Sequence, residues 1–268
     1  MCEICDPKNK YSDCICNSEW KNFDSIFTDI INTKSVILEK SLKISTITLC
    51  CNFNCDLNLK NLCSKYSYSI KYVPNTKKTA ENKSFYNSLL MTMSVKYQLK
   101  KKVSIKFFPN GKIQVAGLQT IKSCAYCIRK AYKRLLVNEC FKTKPVLSDV
   151  KIAMINSDFK INKYILQIDL CDIFLQNHIS KNGKFIHIVF QPSKYPAINS
   201  KIIPDCKKEE YNEHCKNYKN RKKFEGVISL LVFRSGSIII TGGKDISYYK
   251  EIYDYILELL CSNQQILY

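Results

Sequence analysis

Hydrophobic and polar positions alternate in short runs along this chain, and two of these runs lead into the same motif. The first passes from Lys106–Phe108 through Pro-Asn-Gly into a run containing Ile and Val that ends at Gly117. The second passes from Leu231–Phe233 through Arg-Ser-Gly into a β-branched run that ends at Gly242. Each motif predicts an antiparallel hairpin with a glycine in its turn.

A helical pattern follows each hairpin, since apolar residues recur at steps of three and four over 121–136 and 246–260. A helix with this periodicity buries one face and leaves the other in water. One offset of 125 positions carries Phe108 onto Phe233 and the first helix onto the second. This spacing is far longer than a solenoid repeat, so it indicates the internal duplication of a small domain.

The other predicted elements recur in the same order in both copies. The first copy has a strand over 44–50, a short helix near 57–63 and strands over 86–95 and 103–108. The second has a strand over 150–156, a helix over 164–174 and strands over 195–203 and 226–233. We therefore predict a first repeat over 43–137, a linker over 138–148, a second repeat over 149–262 with an insertion over 204–225, and a tail over 263–268.

Edge-to-edge pairing of the two repeats predicts an α+β fold. One curved antiparallel sheet would carry all the helices on one face and leave the other face bare. A bare sheet face with Phe and β-branched residues is an exposed apolar patch, which usually marks a binding site.

The predicted extension before the first repeat, residues 1–42, is rich in cysteine. Cys2 and Cys5 have the spacing of a zinc-binding pair, whereas Cys14 and Cys16 are one residue closer than usual. A zinc site and a Cys-rich tail both remain open at this point. The second half of the extension has a helical apolar stripe that would pack on the main body or on a partner.

The charge of the chain indicates a polyanionic partner. Its 42 Lys and Arg against 23 Asp and Glu give a net charge of +19. Over 82–138 there are twelve Lys or Arg and no Asp or Glu. A region of one sign this long is a large positive field that suits nucleic acid, although a solvated basic surface stays possible.

Composition excludes several other classes of protein. The chain has no run of 18 apolar residues, so no membrane span is predicted. The start of the chain lacks the basic and apolar regions of a secretory signal. The 15 Cys are therefore expected to be reduced thiols. Several lie among apolar residues and are expected to be buried: Cys50, Cys63, Cys124, Cys127 and Cys171.

Catalytic chemistry is not indicated by the sequence. His178, His187 and His214 form no triad or metal-ligand spacing, and no convergent carboxylate pair is identifiable. Cys206 and Cys215 beside His214 have poor spacing for a metal. We expect no enzyme activity, no cofactor and no metal site among these residues.

Taken together, the motifs resemble the TATA-box-binding protein family across roughly residues 43–262. Both Phe-x-x-Gly motifs, with the intervening pieces in family order, carry the resemblance. The matching segments are 108–117, 233–244, 190–196, 55–60 and Arg129-Lys130. The chain resembles either a divergent TATA-binding protein or a TATA-binding-protein-like paralogue.

The resemblance implies a saddle, a ten-stranded antiparallel sheet concave toward DNA, with helices on the convex back. In the family, four aromatic side chains wedge between base steps and bend the duplex. These positions fall on Phe108, Phe233, Tyr195 and Tyr86, with Phe85 as the rival of Tyr86. The alternative for each is an ordinary aromatic packed in the core.

The resemblance also implies a set of minor-groove contacts. The central Asn pair of the family falls on Thr46 and Met154, so neither Asn is retained. The flanking contacts fall on Thr48, Asn156, Gln114, Ala116, Ile239 and Thr241. Minor-groove recognition mainly separates A·T from G·C pairs, and these substitutions argue against a strict TATA preference.

Basic residues outside the groove are assigned by the same resemblance. Lys100, Lys101 and Lys102 correspond to the first stirrup of the saddle, where phosphate contact is expected. A basic helix face on the convex side would meet transcription factor IIA and regulators, or would only be solvated. Its residues are Arg129, Lys130, Lys133 and Arg134. The insertion enlarges the second stirrup, the family's transcription factor IIB side.

Three function classes follow. The leading hypothesis is a nuclear or viral transcription factor that binds double-stranded DNA and nucleates preinitiation complex assembly with RNA polymerase machinery. The second is a protein-interaction adaptor that kept the saddle but lost useful DNA binding. An enzyme is third, because related saddle domains in DNA glycosylases need an added catalytic domain. No membrane partner is expected.

Overall fold

The structure is a computed structural model. It describes residues 42–65, 70–73, 88–94, 102–179, 183–216 and 224–268. The four N-terminal thiols and the helix predicted in the extension lie outside the described residues.

The described residues contain ten strands. The strands are β1 (Lys43–Asn52), β2 (Ile70–Val73), β3 (Ser88–Ser94), β4 (Lys102–Phe107), β5 (Lys112–Leu118), β6 (Ser148–Lys160), β7 (Phe185–Val189), β8 (Ala197–Ile202), β9 (Ile228–Phe233) and β10 (Ser237–Thr241). The helices are α1 (Leu59–Lys65), α2 (Ile121–Val137), α3 (Gln167–Gln176), α4 (Lys208–Lys216) and α5 (Ile246–Ser262).

The described chain divides into two compact units. The first comprises residues 49–151, and the second comprises 42–48 and 152–268. In the first unit β2, β3, β4 and β5 are antiparallel neighbours in that order. In the second unit the antiparallel order is β6, β10, β9, β8 and β7.

In each unit, one sheet face is buried under a long helix. Side chains along β4, β9 and β10 alternate between buried and partly exposed. In the second unit, Tyr253 of α5 packs edge-on against Phe159 of β6, with ring centroids 4.8 Å apart. In the first unit, Tyr132 of α2 packs against Phe53 at 5.6 Å. Burying each large apolar side chain stabilises the fold by about 1.5–3 kcal/mol.

Both long helices begin at a side-chain cap. The Thr120 hydroxyl accepts a hydrogen bond from the backbone N–H of Ser123 at 3.2 Å, and the Asp245 carboxylate accepts one from Ser247 at 3.1 Å. Each cap satisfies one of the amide groups that a helix start leaves without an internal partner. The helices predicted over 121–136 and 246–260 are confirmed, since they correspond to Ile121–Val137 and Ile246–Ser262.

Matching backbone hydrogen bonds extend the similarity between the two copies beyond the motifs. In the first unit, Phe53 N donates to Gly111 O and Asn58 N to Cys140 O. In the second, Ile161 N donates to Gly236 O and Leu166 N to Ile266 O. The donors are again separated by a constant offset, here 108. The residues after α2 and after α5 thus pair with the same part of their own unit, although the sequence predicted a linker and a tail there.

The motif glycines are required by the backbone. Gly111 has φ +79 and Gly236 has φ +78, in the left-handed region that favours glycine. A Cβ at Gly111 would lie 2.3 Å from Cys55 O, and one at Gly236 would lie 2.3 Å from Lys163 O. Any side chain would therefore clash with backbone at both turns.

The helix predicted over 164–174 is wrong at its start. Tyr164 N donates to Tyr268 O at 2.8 Å, and Leu166 N donates to Ile266 O at 2.9 Å. Pairing with the chain end holds these residues extended, so α3 begins at Gln167. Periodicity alone could not reveal a partner about 100 positions away.

The first part of the insertion is helical and anchored. Lys184 Nζ lies 2.6 Å from Asp205 Oδ2 and 2.7 Å from Glu251 Oε1. The backbone N–H of Asp205 donates to the same Glu251 oxygen at 2.8 Å. These contacts fix the start of the insertion to α5, and α4 follows within it. The sequence had predicted only a polar insertion.

Candidate nucleic-acid interface

The face of the second unit opposite α5 carries an aromatic pair. Tyr195 precedes β8 and Phe233 ends β9, where its Cα partner is Ala197. The two rings meet edge-on with centroids 6.1 Å apart and planes at 63°. Tyr195 is 46% exposed and Phe233 is partly exposed. Two predicted wedge positions are thus adjacent and accessible.

In the first unit only one of the two predicted wedges can be placed. Phe108 follows β4 and is partly exposed. Its backbone N–H donates to Lys112 O at 2.9 Å, which closes the hairpin turn. Tyr86 and its rival Phe85 lie outside the described residues.

Three predicted minor-groove residues form one hydrogen-bonded cluster in the second unit. Asn156 Nδ2 donates to Thr46 Oγ1 at 2.7 Å. Thr241 Oγ1 donates to Asn156 Oδ1. The Asn156 amide is therefore held in one orientation, with one N–H left over beyond the bond to Thr46.

This cluster borders a concavity of about 580 Å³ on the same face. Ile239 contributes an apolar side chain, and its Cα neighbours across the sheet are Leu231 and Asp158. Thr241 lies at one end, with Asn156 as its Cα partner. We call this surface, from the Tyr195–Phe233 pair to the Asn156 cluster, the open face of the second unit. Met154 alternates with buried Ile155 and is partly exposed.

The first unit has a corresponding open face with different chemistry. Gln114 is the Cα partner of Lys106, and Ala116 is the partner of Ser104. All four are partly exposed, and Ser104, Lys106 and Gln114 each lie between two buried neighbours. A glutamine and a lysine therefore stand where the second unit has an apolar floor.

Two predicted groove contacts on β1 differ in accessibility. Thr46 is partly exposed and bonded to Asn156. Thr48 is only 6% exposed, which leaves its side chain little surface for a ligand. Burial of this kind depends on packing around the strand, which alternation does not report.

Lysines line the edges of these faces. Lys102, at the start of β4, is exposed, whereas Lys100 and Lys101 lie outside the described residues. Lys201 of β8 and Lys160 of β6 are at least partly exposed in the second unit. Side chains of this type suit phosphate contacts, which position a protein on DNA without specifying sequence.

The four basic residues predicted to form a partner surface on α2 differ in their contacts. Lys130 Nζ lies 5.2 Å from the centre of the Tyr126 ring, a cation–π distance. Arg134 donates from a guanidinium nitrogen to Met91 Sδ at 2.9 Å, so it leans toward the sheet. Arg129 and Lys133 are partly exposed.

Asp158 lies on the open face, although the sequence motifs did not indicate it. It is exposed, alternates with buried Ser157 and Phe159, and is the Cα partner of Ile239. Ser45 Oγ donates to its Oδ1. The alternation along β6 could have revealed this carboxylate, because it stands two positions after Asn156.

The described residues hold neither a metal-binding cluster nor a membrane-spanning helix. No group of three or more His, Cys, Asp or Glu in the described residues is arranged to hold a metal ion. Within the same residues, no helix is both long and apolar enough to span a bilayer.

Comparison with known families gives two sequence matches. A family model described as Transcription factor TFIID (or TATA-binding protein, TBP) matches residues 41–137, which is the region of the first predicted repeat. A TATA-box-binding protein-like protein of Acanthamoeba polyphaga mimivirus is 28% identical over 290 aligned positions, covering 96% of this chain and 74% of that protein.

Among solved structures, Methanococcus jannaschii TBP matches with a TM-score of 0.56 at 16% identity. The match covers 83% of this chain and 99% of that one. Likeness at this identity shows the fold, and the predicted α+β fold class is confirmed.

Proposed function

Since this chain is a divergent member of the TATA-binding-protein family, we propose that it binds and bends promoter DNA through the minor groove and nucleates assembly of the transcription machinery. DNA binding and transcription are the general functions that membership supports. Bending, nucleation and the assignment of residues are the proposal. The observation that carries it is the accessible Tyr195–Phe233 pair on the same face as the Asn156 cluster.

The open face of the second unit suits an A·T-rich minor groove. Ile239 offers apolar surface. This suits an A·T-rich minor groove, because the edges of A·T pairs carry no hydrogen-bond donors there. Tyr195 and Phe233 stand at one end of this surface, where rings that enter a base step would unstack it and kink the duplex. A kinked duplex meets more protein surface, which offsets the cost of unstacking.

Positive charge supplies the attraction that such binding needs. Lys102, Lys160 and Lys201 stand at the faces described above, in a chain of net charge +19. Lysines that neutralise phosphates release counterions, so affinity falls steeply as salt rises. This part of the affinity carries no sequence preference, and the wedge residues and groove contacts would supply the selectivity.

Protein partners would use other surfaces. Lys130 and Lys133 lie on α2, whose buried side faces the sheet, so they cannot reach a groove bound on the opposite face. We assign this helix to an acidic partner of the transcription factor IIA type. The anchored insertion, including α4, is assigned to a partner of the transcription factor IIB type. The setting would be a nucleus or a viral transcription compartment.

An adaptor that acts mainly through protein contacts is the second candidate. The lost Asn pair at Thr46 and Met154, the burial of Thr48 and the carboxylate of Asp158 on the open face favour it. Each of these features weakens or alters the contacts with a minor groove. None of them affects the surface formed by the helices of the two units.

The test measures binding and bending together. A duplex with a TATA-like A·T-rich site, labelled at both ends for energy transfer, is titrated beside a G·C-rich duplex from low to physiological salt. The proteins are the wild type, the Phe108→Ala/Phe233→Ala double variant, and a Tyr126→Ala control that removes an aromatic from α2.

We expect the wild type and the control to prefer and bend the A·T-rich duplex. The double variant should lose the bend and bind about tenfold or more weakly, since aromatic–base contacts contribute about 1–3 kcal/mol each. If both duplexes bind equally and the double variant has no effect, binding is due to phosphate attraction alone. The protein would then act as the adaptor, and the proposed function would be refuted.

A further inference from the structure

We propose that Asp158 makes the second unit read a guanine in the minor groove, so that the preferred site contains one G·C pair at a fixed position. The inference rests on the proposed function and deepens it, because it names the base that the open face selects. It arises from a carboxylate placed among residues predicted to touch base edges.

The position of Asp158 is set by strand register. It is the Cα partner of Ile239, and Asn156 is the partner of Thr241. Asp158 and Asn156 stand on the same side of β6, two residues and about 7 Å apart along the strand. Both line the concavity of the open face. A duplex that meets Ile239 and Thr241 therefore also meets the carboxylate.

The carboxylate is held but not neutralised. Ser45 Oγ donates to Oδ1, which orients the group. Within the described part of the chain, Asp158 forms no ion pair with a lysine or arginine. An ionised carboxylate has about four acceptor sites, so Oδ2 keeps its full capacity to accept a hydrogen bond from a ligand.

The minor groove offers one kind of donor to such a group. An A·T pair presents only the acceptors adenine N3 and thymine O2, whereas a G·C pair adds the guanine N2 amino group. Acceptors facing Asp158 would repel its charge, and the guanine amine would donate to it. The remaining N–H of Asn156 complements the cytosine O2 or guanine N3 acceptor beside that amine.

The preference is confined to one unit. The offset of 108 relates β1 of the first repeat to β6 of the second. By this offset, Cys50 corresponds to Asp158 and Thr48 corresponds to Asn156. Neither residue carries a carboxylate, and Thr48 is buried. Only the half-site bound by the second unit would favour guanine, so a single G·C pair would also orient the protein on an otherwise A·T-rich duplex.

The experiment removes only the amino group. An A·T-rich duplex is made with one G·C pair at each successive position, and each duplex is matched by one with inosine in place of guanine, which lacks the N2 amine. A reciprocal series adds the amine to A·T pairs with 2,6-diaminopurine. Affinities for wild-type protein are measured by fluorescence anisotropy at one fixed salt concentration.

At one or two neighbouring positions, we expect guanine to bind about fivefold or more tightly than inosine, within the range for a good base contact. Diaminopurine should reproduce the gain. Asp158→Ala should abolish the difference, and Asp158→Ser should do the same. Asp172→Ala, which removes an exposed carboxylate from α3, should leave the difference intact.

The inference is overturned if no position separates guanine from inosine in the wild type, or if the difference persists without Asp158. These results are distinct from failure of the proposed function. If the protein still bends the A·T-rich duplex in a Phe233-dependent manner, the proposed function stands and only the guanine preference is refuted. A protein that shows neither bending nor Phe233 dependence loses both.

Discussion

The ring of Tyr195 contacts the ring of Phe233 edge-on, with centroids 6.1 Å apart. An edge-to-face pair of this kind stabilises its own geometry by about 0.5–1.5 kcal/mol. The two rings come from different strand ends and contact each other within one unit. A duplex would therefore meet a preformed aromatic pair, and little side-chain ordering would be needed on binding.

Replacement of Tyr195 should separate binding from stability. Tyr195→Ala is expected to weaken binding to the A·T-rich duplex about fivefold or more. It should lower the free energy of unfolding by only about 0.5–1.5 kcal/mol, the contribution of the edge-on contact, because the side chain is half exposed. Tyr195→Phe should bind as well as the wild type, since an inserted ring leaves no partner for the hydroxyl. Anisotropy and urea denaturation check the two effects. Weak binding by Tyr195→Phe would show that the hydroxyl itself contacts DNA.

The Asn156 cluster should behave as one unit. Thr46→Val and Thr241→Val each remove one bond to the Asn156 amide, and each is expected to cost about 0.5–1.5 kcal/mol of folding free energy. The double variant should differ from the sum by about 0.5 kcal/mol or more, because residues that share a hydrogen-bonded partner are coupled. Urea denaturation of the four proteins in this cycle measures the coupling. Strict additivity would mean that the amide is not oriented by both hydroxyls.

The stability contributed by the ion pairs of Lys184, which anchor the insertion, should fall at both low and high pH. Burial opposes the charge of Lys184, but hydrogen bonds to Asp205 and Glu251 outweigh it and raise its pKa. Burial likewise opposes the charge of Asp205, but Lys184 and Lys208 hold the pKa of that carboxyl below its ordinary value. The stabilisation from Asp205 is therefore lost as pH falls below about 3.9. The stabilisation from Lys184 is lost as pH rises through its raised pKa, above about 10.4.

Hydrogen exchange of residues 205–216 and urea denaturation across pH test this anchor. Lys184→Met should lower stability by about 1–3 kcal/mol at neutral pH and reduce the acid-dependent loss. Lys250→Met, which removes the surface pair with Asp254, should cost less than about 0.5 kcal/mol. Equal effects of the two substitutions would contradict the anchoring role of Lys184.

Cysteine labelling should follow burial. Cys51 and Cys124 are buried, and burial raises the pKa of both thiols, so at pH 8 they hold no reactive thiolate. Burial also raises the pKa of Cys127 to about 11. Cys206, Cys215 and Cys261 are exposed. Brief alkylation of the native protein followed by peptide mass spectrometry should modify the exposed thiols and spare the buried ones. Early modification of Cys124 would show that α2 opens readily.

The sequence by itself determined which residues share a face. Alternation with period two is a local property, so buried Ile238 and Ile240 and outward Ile239 and Thr241 follow from their order alone. The same is true of the long helices, whose apolar stripes and capping residues are contiguous in the chain. The glycine turns at Gly111 and Gly236 were also predicted, because few other residues adopt their backbone angles.

Only the tertiary structure decided which outward residues meet one another. Asn156 bonds to Thr46 and Thr241, which are 110 and 85 positions away, and Ser45 reaches Asp158 across 113 positions. Residues 164–166 are extended because the chain end pairs with them. Strand register and chain-end pairing depend on long-range packing of the whole unit, whereas hydrophobic periodicity records only neighbours in sequence. For this reason the faces, including the outward position of Asp158, could be predicted from the sequence, and the hydrogen bonds that join their residues could not.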